Sequence, residues 1–243
     1  MNPQAGRRAA AKDVNKYDAI VIGAGHNGLT NAAYLAKAGL KVAVLERNNY
    51  IGGATVSREL HTGWTYSNCS YVCSLLRPEI ARDLELPRHG LQVVPYGGGV
   101  TFKRDGGYYG NYYDHNRQYR EMARHSKRDA NAYERYTADV MKQTRLIRPF
   151  LLKRPPDPTS LKLRDLRDLT DFAQQFLSMG EEGLADTLKF WTKSVGDYLE
   201  EYFVSDVIKA HMAGSGIIGT ALGVFSPGSA YVLLHLYMGD VVG

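Results

Sequence analysis

The chain has 243 residues, of which 44% are hydrophobic and 23% are charged, and its formal net charge is +5. This length can bury one large core or two smaller ones, and the composition excludes disordered and collagen-like chains. There are two cysteines, Cys69 and Cys73. So few cysteines exclude a disulfide-stapled secreted domain, and their C-x3-C spacing matches neither a zinc pair nor a C-x-x-C redox pair. We therefore expect both to be buried small residues.

The N-terminal segment, residues 1–16, is basic and rich in alanine, and it lacks the apolar core of a secretory signal. We expect a flexible arm there, with a weak organelle-targeting segment as the alternative. The longest apolar stretch, residues 230–238, is too short to span a membrane as a helix. These features predict a protein that is not secreted, from the bacterial cytoplasm or the mitochondrial matrix.

The first predicted elements are a strand, a helix and a second strand. The run "YDAIVI" at residues 17–22 is apolar and ends at glycine, as a buried parallel strand does. Residues 26–39 carry apolar side chains at helical spacing and stop at Gly39, a natural residue after a helix end. "KVAVLE" at residues 41–46 is the second strand, so the sequence predicts one βαβ unit.

Beyond Gly53, turn signals separate short strand-like runs such as "LQVV" and "GVTF", which predicts a β-rich connection. Four tyrosines flank two glycines at residues 107–113, and we expect them to pack a β-turn rather than to stack on a substrate. From about Arg117 the spacing is helical. It predicts a long amphipathic helix that Pro149 bends or ends, and further helices at about 161–177, 182–193, 196–211 and 227–239. The last has Ser226 as its predicted N-cap and Pro227 at its first position.

A glycine motif lies between the first strand and the first helix. Gly23-Ala24-Gly25-His26-Asn27-Gly28 is G-x-G-x-x-G, and Glu46 ends the second strand 18 residues after the last glycine. Gly23 permits the tight turn, Gly25 lets the backbone approach a pyrophosphate, and Gly28 lets the helix pack closely on the strand. The acid is placed to accept hydrogen bonds from a ribose diol and would repel a 2′-phosphate. The motif therefore predicts NAD or FAD rather than NADP.

A second glycine pair, Gly52-Gly53, follows Glu46 in an E-x5-G-G pattern. With it, residues 18–55 resemble the extended FAD signature of the glutathione-reductase-type flavoproteins, in the branch of amine oxidases and phytoene desaturases. The resemblance implies FAD as cofactor. It also implies the cofactor-binding residues, which by position in the motif are Gly23, Gly25, Gly28, Glu46, Gly52 and Gly53.

The runs "LERNNYIGGATVSREL" and "FSPGSAYVLLH" extend the resemblance to the phytoene dehydrogenase-related oxidoreductases. Within these, the chain resembles the group of pyridine nucleotide-disulfide oxidoreductase domain-containing protein 2 and its bacterial relatives. The resemblance implies an enzyme that transfers a hydride between flavin and an apolar, isoprenoid-like or lipid-like substrate, then passes electrons to an unidentified acceptor. Disulfide chemistry is not expected, because Cys69 and Cys73 do not have the C-x4-C spacing of a disulfide reductase.

The fold class expected is α/β: a Rossmann-type FAD-binding βαβ unit, a β-rich connection and a helical portion of a substrate domain. The expected boundaries are an arm at 1–16, the N-terminal part of an FAD-binding domain at 17–116, and the helical portion at 117–243. Only two convincing parallel strands are present, fewer than a doubly wound sheet needs. We therefore expect these residues to be the N-terminal part of a protein about twice as long. As a separate polypeptide they are expected to hold FAD weakly or not at all.

Other candidate sites carry weaker signals. Residues 214–219 form a second G-x-G-x-x-G, with Asp240 downstream, but no strand precedes it and Pro227 interrupts the helix that should follow. We expect a helix-packing turn there. His26 has no assigned role, and three other histidines lack metal-ligand spacing, so no metal site and no catalytic residue is predicted. These are His61, His211 and His235.

The basic stretch from Arg117 to Arg167 holds 14 Lys or Arg residues against 6 Asp or Glu. A solvated helix face is the simplest interpretation, and contact with a membrane surface or an anionic protein partner is the alternative. No nucleic-acid-binding module accompanies the charge. Two alternatives to an oxidoreductase of apolar substrates remain open. One is a non-catalytic or regulatory flavoprotein that acts through such a partner, and the other, ranked lower, is an amine oxidase.

Overall fold

The computed structural model describes residues 16–239, and the chain forms two compact units that divide between Val93 and Val94. Most of the arm predicted at residues 1–16 lies outside the described residues. Among the helices of the described range, none combines the length and the apolar character needed to cross a membrane.

The first unit begins with the predicted βαβ motif. Strand β1 (Ala19–Ile22) pairs in parallel with β2 (Val42–Leu45), and helix α1 (His26–Lys37) connects them. Gly39 follows the helix with φ +90°, a left-handed conformation that glycine adopts without steric cost and that turns the chain toward β2. The prediction of a βαβ unit is thereby confirmed.

Helix α1 covers one face of this two-stranded sheet. Val21 faces the helix, because its Cγ1 atom would lie 3.4 Å from a methyl group placed on Gly28. Side chains alternate along a strand, so the flanking Ile20 and Ile22 point to the opposite face. Their exposed fractions are 61% and 88%. That face of the sheet therefore carries apolar side chains that α1 does not cover.

The rest of the first unit is a hairpin and a short helix. Strands β3 (Ser57–His61) and β4 (Trp64–Ser67) are antiparallel, and helix α2 (Pro78–Asp83) follows. The burial predicted for Cys69 and Cys73 is wrong: both thiols are free and exposed, because they lie in an irregular segment after β4 that packs no core around them. The run "LQVV" also forms no strand.

The second unit opens with an antiparallel hairpin and continues as helices. Tyr109 is fully buried in the second strand of the hairpin, so the expectation that the tyrosines only pack a β-turn is wrong for this residue. The elements are β5 (Gly98–Phe102), β6 (Tyr108–Tyr112), α3 (His115–His125), α4 (Lys127–Ile147), α5 (Leu163–Leu177), α6 (Gly180–Thr192), α7 (Val195–Glu200), α8 (Asp206–Gly214), α9 (Ser229–Val232) and α10 (Leu234–Tyr237).

Helix α4 ends two residues before Pro149, as predicted. The hairpin β5–β6 packs against helices α3 and α8 of the same unit. The domain boundary near residue 116 stays a prediction, since the compact units divide earlier in the chain. The predicted mixture of a Rossmann-type unit, a β-rich connection and a helical portion is confirmed as an α/β fold.

Two helix predictions are wrong, and the structure shows the reason for each. Residues 196–211 form two helices, α7 and α8, because the buried Asp129 carboxylate accepts hydrogen bonds from the backbone amides of Val204 and Ser205 between them. Fixing these amides at the start of α8 separates the helices. The last helical region begins at Ser229, after Gly228 in a left-handed conformation (φ +82°), instead of at Pro227.

The core of the second unit is aromatic. Tyr136 of α4 is fully buried, and aromatic rings from α7, α10 and the segment after α7 pack around it at centroid distances of 5.2–6.5 Å. Edge-to-face and tilted ring pairs of this kind add to the stability gained from area burial. The surrounding rings are those of Tyr198, Tyr202, Phe203 and Tyr237.

Candidate dinucleotide site

The glycine loop has the backbone geometry that its sequence predicts. Gly23 adopts φ +99° and donates its amide to the Leu45 carbonyl at 2.7 Å, which ties the loop to the end of β2. Gly25 precedes α1 as its N-cap. A methyl group on Gly28 would lie 2.1 Å from the Gly23 carbonyl oxygen. Only glycine therefore allows α1 to start this close to β1.

Glu46 lies beside this loop, at the end of β2. Its Oε2 accepts a hydrogen bond from the Ala24 amide at 2.8 Å, and its Oε1 accepts two from Asn48, from the backbone amide and from Nδ2, each at 2.8 Å. The Asn48 and Ala24 amides, in that order, lower the pKa of Glu46. The side chain is therefore an anion at neutral pH, and one acceptor position on Oε2 remains for a ligand hydroxyl.

The second glycine pair contacts the first loop directly. The Gly52 amide donates to the Ala24 carbonyl at 2.8 Å, and Gly25 and Gly52 form a parallel bridge. A methyl group on Gly53 would lie 2.9 Å from the Gly25 Cα atom. Glycines are thus required in this pair because the two backbone segments touch there. The sequence did not reveal this packing role.

The start of α1 offers backbone amides that an anion can bind. No side chain caps this helix, and its first turn contains no acidic residue. The first amides of a helix lack partners within it, and together with the helix dipole they favour an anion. These amides therefore have neither a side-chain cap nor an acidic neighbour in the first turn. The backbone amides and the Glu46 carboxylate together fit an adenosine diphosphate half of a dinucleotide.

Sequence reasoning missed Ala24 and Asn48. Ala24 carries no side-chain signal, because only its amide acts. Asn48 could have been found, since an amide side chain two residues after a strand-end acid is placed to turn back on it. His26, which had no assigned role, is exposed at the first position of α1.

The second G-x-G-x-x-G motif does not form a nucleotide loop. Helix α8 ends at Gly214, and a methyl group on Gly216 would lie 2.6 Å from a side-chain atom of Val195 in α7. This is the predicted helix-packing turn. Asp240 lies outside the described residues. Within residues 16–239, no group of three His, Cys, Asp or Glu side chains could hold a metal ion.

Comparisons with known proteins agree with this geometry. A family model described as an NAD(P)-binding Rossmann-like domain matches residues 21–81. "Pyridine nucleotide-disulfide oxidoreductase domain-containing protein 2" of Mus musculus is 36% identical over 245 residues, which covers 94% of this chain and 42% of the relative. A limonene dehydrogenase polypeptide of Castellaniella defragrans is 37% identical over 123 residues, covering 50% of this chain and 22% of the relative.

A solved structure of a putrescine oxidase triple mutant shares the fold, with a TM-score of 0.50 and 18% identity, and the match covers 89% of this chain and 40% of that one. The chain thus spans less than half the length of the relatives that it matches. The predicted resemblance is confirmed, and the relatives named here are oxidoreductases by name. The chain is a homologue of the pyridine nucleotide-disulfide oxidoreductase domain-containing protein 2 group and carries a Rossmann-like dinucleotide-binding unit.

Proposed function

We propose that this chain is the cofactor-binding part of an FAD-dependent oxidoreductase. The observation that carries the proposal is the hydrogen bond between the Glu46 carboxylate and the Ala24 amide. It supports the proposal because a carboxylate suited to a ribose diol lies beside a loop whose backbone amides suit a diphosphate. The six residues of the proposed cofactor site are Gly23, Gly25, Gly28, Glu46, Gly52 and Gly53.

FAD is favoured over the nicotinamide cofactors by two features. The Glu46 anion repels a 2′-phosphate, which disfavours NADP. The pair Gly52-Gly53, which packs on Gly25, belongs to the FAD signature that the chain resembles. A simple NAD-binding βαβ unit needs only the first glycine motif and the acid, so the second pair separates FAD from NAD.

When bound, FAD supplies hydride acceptance and donation at its ring system. The chain's own residues bind and orient it. Amides at the start of α1 hold the diphosphate, and Glu46 orients the adenosine ribose while its contact with Ala24 keeps the loop in place. No residue of the chain is assigned a proton-transfer step.

The substrate we propose is apolar, of an isoprenoid or lipid type. In the proposed reaction flavin accepts a hydride from one C–H bond, a proton leaves the adjacent carbon, and the C–C single bond between them becomes a double bond. Support comes from the resemblance to phytoene dehydrogenase-related proteins and from a relative whose name specifies limonene, which is a hydrocarbon. The proton that leaves with the hydride passes to solvent or to a base that is not assigned among residues 16–239.

The cofactor assignment is tested with Gly25→Ala. A methyl group at residue 25 meets only the Gly53 Cα atom at 3.9 Å, an ordinary contact, so the fold accommodates it. The same methyl group occupies the space through which a diphosphate approaches the backbone. We expect titration with FAD, followed by flavin fluorescence, to show weak binding to the wild-type chain and none to the variant, at equal melting temperatures.

Unchanged FAD affinity in Gly25→Ala, or preference of the wild-type chain for NAD over FAD, would contradict the assignment. The reaction is tested separately by adding isoprenoid and lipid candidates anaerobically to the flavin-loaded protein and recording the visible absorbance. Bleaching of the oxidised flavin by an apolar candidate supports the enzyme. If no candidate reduces the flavin and a protein partner is bound tightly instead, the regulatory alternative is favoured.

A further inference from the structure

We propose that residues 151–167 form a docking surface for anionic membrane lipid. This stretch, called here the leucine–cation segment, joins the end of the α4 region to the first turn of α5. This surface belongs to the second unit alone, and lipid binding there does not depend on the proposed redox function, so either proposal can fail without the other.

The segment exposes large apolar side chains that the rest of the unit leaves uncovered. The exposed fractions of Leu152, Leu161 and Leu163 are 54%, 89% and 84%. Single exposed leucines are ordinary on a protein surface, but a group of them within a short stretch marks an interaction site.

The exposure is imposed by a fixed loop conformation. The buried Asp165 carboxylate forms an ion pair with Arg154 and accepts a hydrogen bond from the Ser160 hydroxyl at 2.6 Å. A further turn is closed by Asp157, which accepts bonds from the Thr159 amide and hydroxyl. These contacts hold Arg154 and Ser160 against the Asp165 carboxylate. The Arg154–Asp165 ion pair also brings the chain just after Leu152 close to the chain that carries Leu161 and Leu163.

Aromatic packing anchors both ends of the segment. The ring of Phe150, immediately before it, lies 5.0 Å from the ring of Phe172 and 6.2 Å from that of Phe176, both on α5 beyond the segment. The Phe176 ring in turn packs on Trp191 of α6 at 5.6 Å. The leucines therefore project from a base that is held to the core of the second unit.

Positive charge alternates with these leucines. Lys153 follows Leu152, and Lys162 lies between Leu161 and Leu163. Arg164 and Arg167 are also exposed on the first turns of α5, whereas the two acids of the segment are engaged: Asp165 is buried, and Asp157 is bonded within its own turn. Five cations stand against these two acids in residues 151–167, so the segment is net positive although Asp157 remains an exposed anion.

This arrangement fits a lipid surface better than a protein partner. A segment that lies at a bilayer interface places apolar side chains at the acyl boundary, while lysine and arginine reach the phosphates beside them. The inner leaflets of cell membranes are anionic and attract such cations. A protein hot spot instead concentrates aromatic residues in a desolvated centre, and residues 151–167 contain no aromatic residue.

The test is vesicle flotation of the 243-residue chain with phosphatidylcholine alone and with phosphatidylcholine–phosphatidylserine mixtures. We expect binding to the mixed vesicles that weakens as salt is raised. The double variant Leu161→Ser, Leu163→Ser should bind at least about tenfold more weakly. Both side chains are exposed, so its circular dichroism and melting temperature should match the wild type.

Two control variants test whether lipid binding depends on this segment or only on exposed leucines and positive charge anywhere on the surface. Leu177→Ser removes another exposed leucine, 69% exposed at the far end of α5, and should bind like the wild type. Lys153→Gln with Lys162→Gln should weaken binding, whereas Lys127→Gln with Arg128→Gln, two exposed cations at the start of α4, should not.

The proposal is overturned if the wild-type chain does not float with mixed vesicles, or binds phosphatidylcholine alone equally well. It is also overturned if the leucine variant floats like the wild type. A self-association that Leu161→Ser, Leu163→Ser abolishes in gel filtration, without lipid binding, would assign the surface to a second copy of the chain instead.

Discussion

The Glu46 carboxylate accepts a hydrogen bond from the Ala24 amide, with 2.8 Å between Oε2 and the nitrogen. The bond joins the end of β2 to the loop that follows β1, across the two paired strands. An acid expected to bind only a ribose therefore also fixes the loop that we propose to bind the phosphates. In the proposed site, one side chain would contact the ribose and also hold the phosphate-binding loop in place.

The first prediction concerns Glu46→Gln. A carboxylate offers two acceptor oxygens, and both are used by backbone amides; glutamine has one acceptor oxygen, so one of the amides loses its partner. We expect FAD affinity to fall on the order of tenfold or more, with a lower melting temperature for the first unit. Equal flavin affinity in wild type and variant would show that Glu46 does not order the site.

The second prediction is that Gly28→Ala destabilises the first unit. The added methyl group would lie 2.1 Å from the Gly23 carbonyl oxygen, which is backbone and cannot rotate away. We expect the free energy of unfolding to fall by about 1–3 kcal/mol, as for other overpacked sites. Denaturant titration measures this. Gly214→Ala is the matched control, because a methyl group there meets nothing within 4 Å, and it should be neutral or slightly stabilising.

The third prediction concerns the break between α7 and α8. Asp129 is fully buried and accepts from the amides of Val204 and Ser205. In Asp129→Ala both amides lose their acceptor, so we expect the free energy of unfolding to fall by about 3 kcal/mol or more. Asp206→Ala removes an acid whose side chain is 97% exposed in the first turn of α8, and should cost much less. Similar losses in the two variants would argue against the cap.

The fourth prediction is a pH dependence of the second unit. His211 bonds through Nδ1 to the Thr101 hydroxyl at 2.7 Å, and its ring packs edge-on against Tyr109, which lies between it and His125. Burial lowers the pKa of His211 below its ordinary value of 6.5. The unfolded chain then takes up the proton first, so stability present above about pH 6.5 is lost as the pH falls below it.

Melting temperatures measured from about pH 7.5 to about pH 5 test whether stability falls as the pH is lowered, since an ordinary histidine titrates in this interval. His211→Asn keeps a polar partner for Thr101 and removes the titrating ring, so its melting temperature should depend less on pH than that of the wild type. His89→Asn, at an exposed position, should leave the pH dependence unchanged. A wild-type curve that is flat over this interval is the result that would refute the coupling.

The sequence by itself determined the βαβ unit, the glycine loop and the resemblance to FAD-binding proteins. These features depend on local physics: an apolar run, a helical period and glycines at positions where a Cβ atom cannot fit, as Gly28 shows. Such requirements leave a mark at each position, so they can be identified without knowing what is far away in the chain.

The tertiary structure decided the features that join distant residues. The division of residues 196–211 into two helices depends on Asp129, some 75 positions earlier, and no local pattern records that contact. The role of Gly53 depends on the approach of Gly25, and the burial of Tyr109 on the helices that cover β6. Long-range backbone contacts set these outcomes because a buried amide must find an acceptor and two backbones can touch only where side chains are absent.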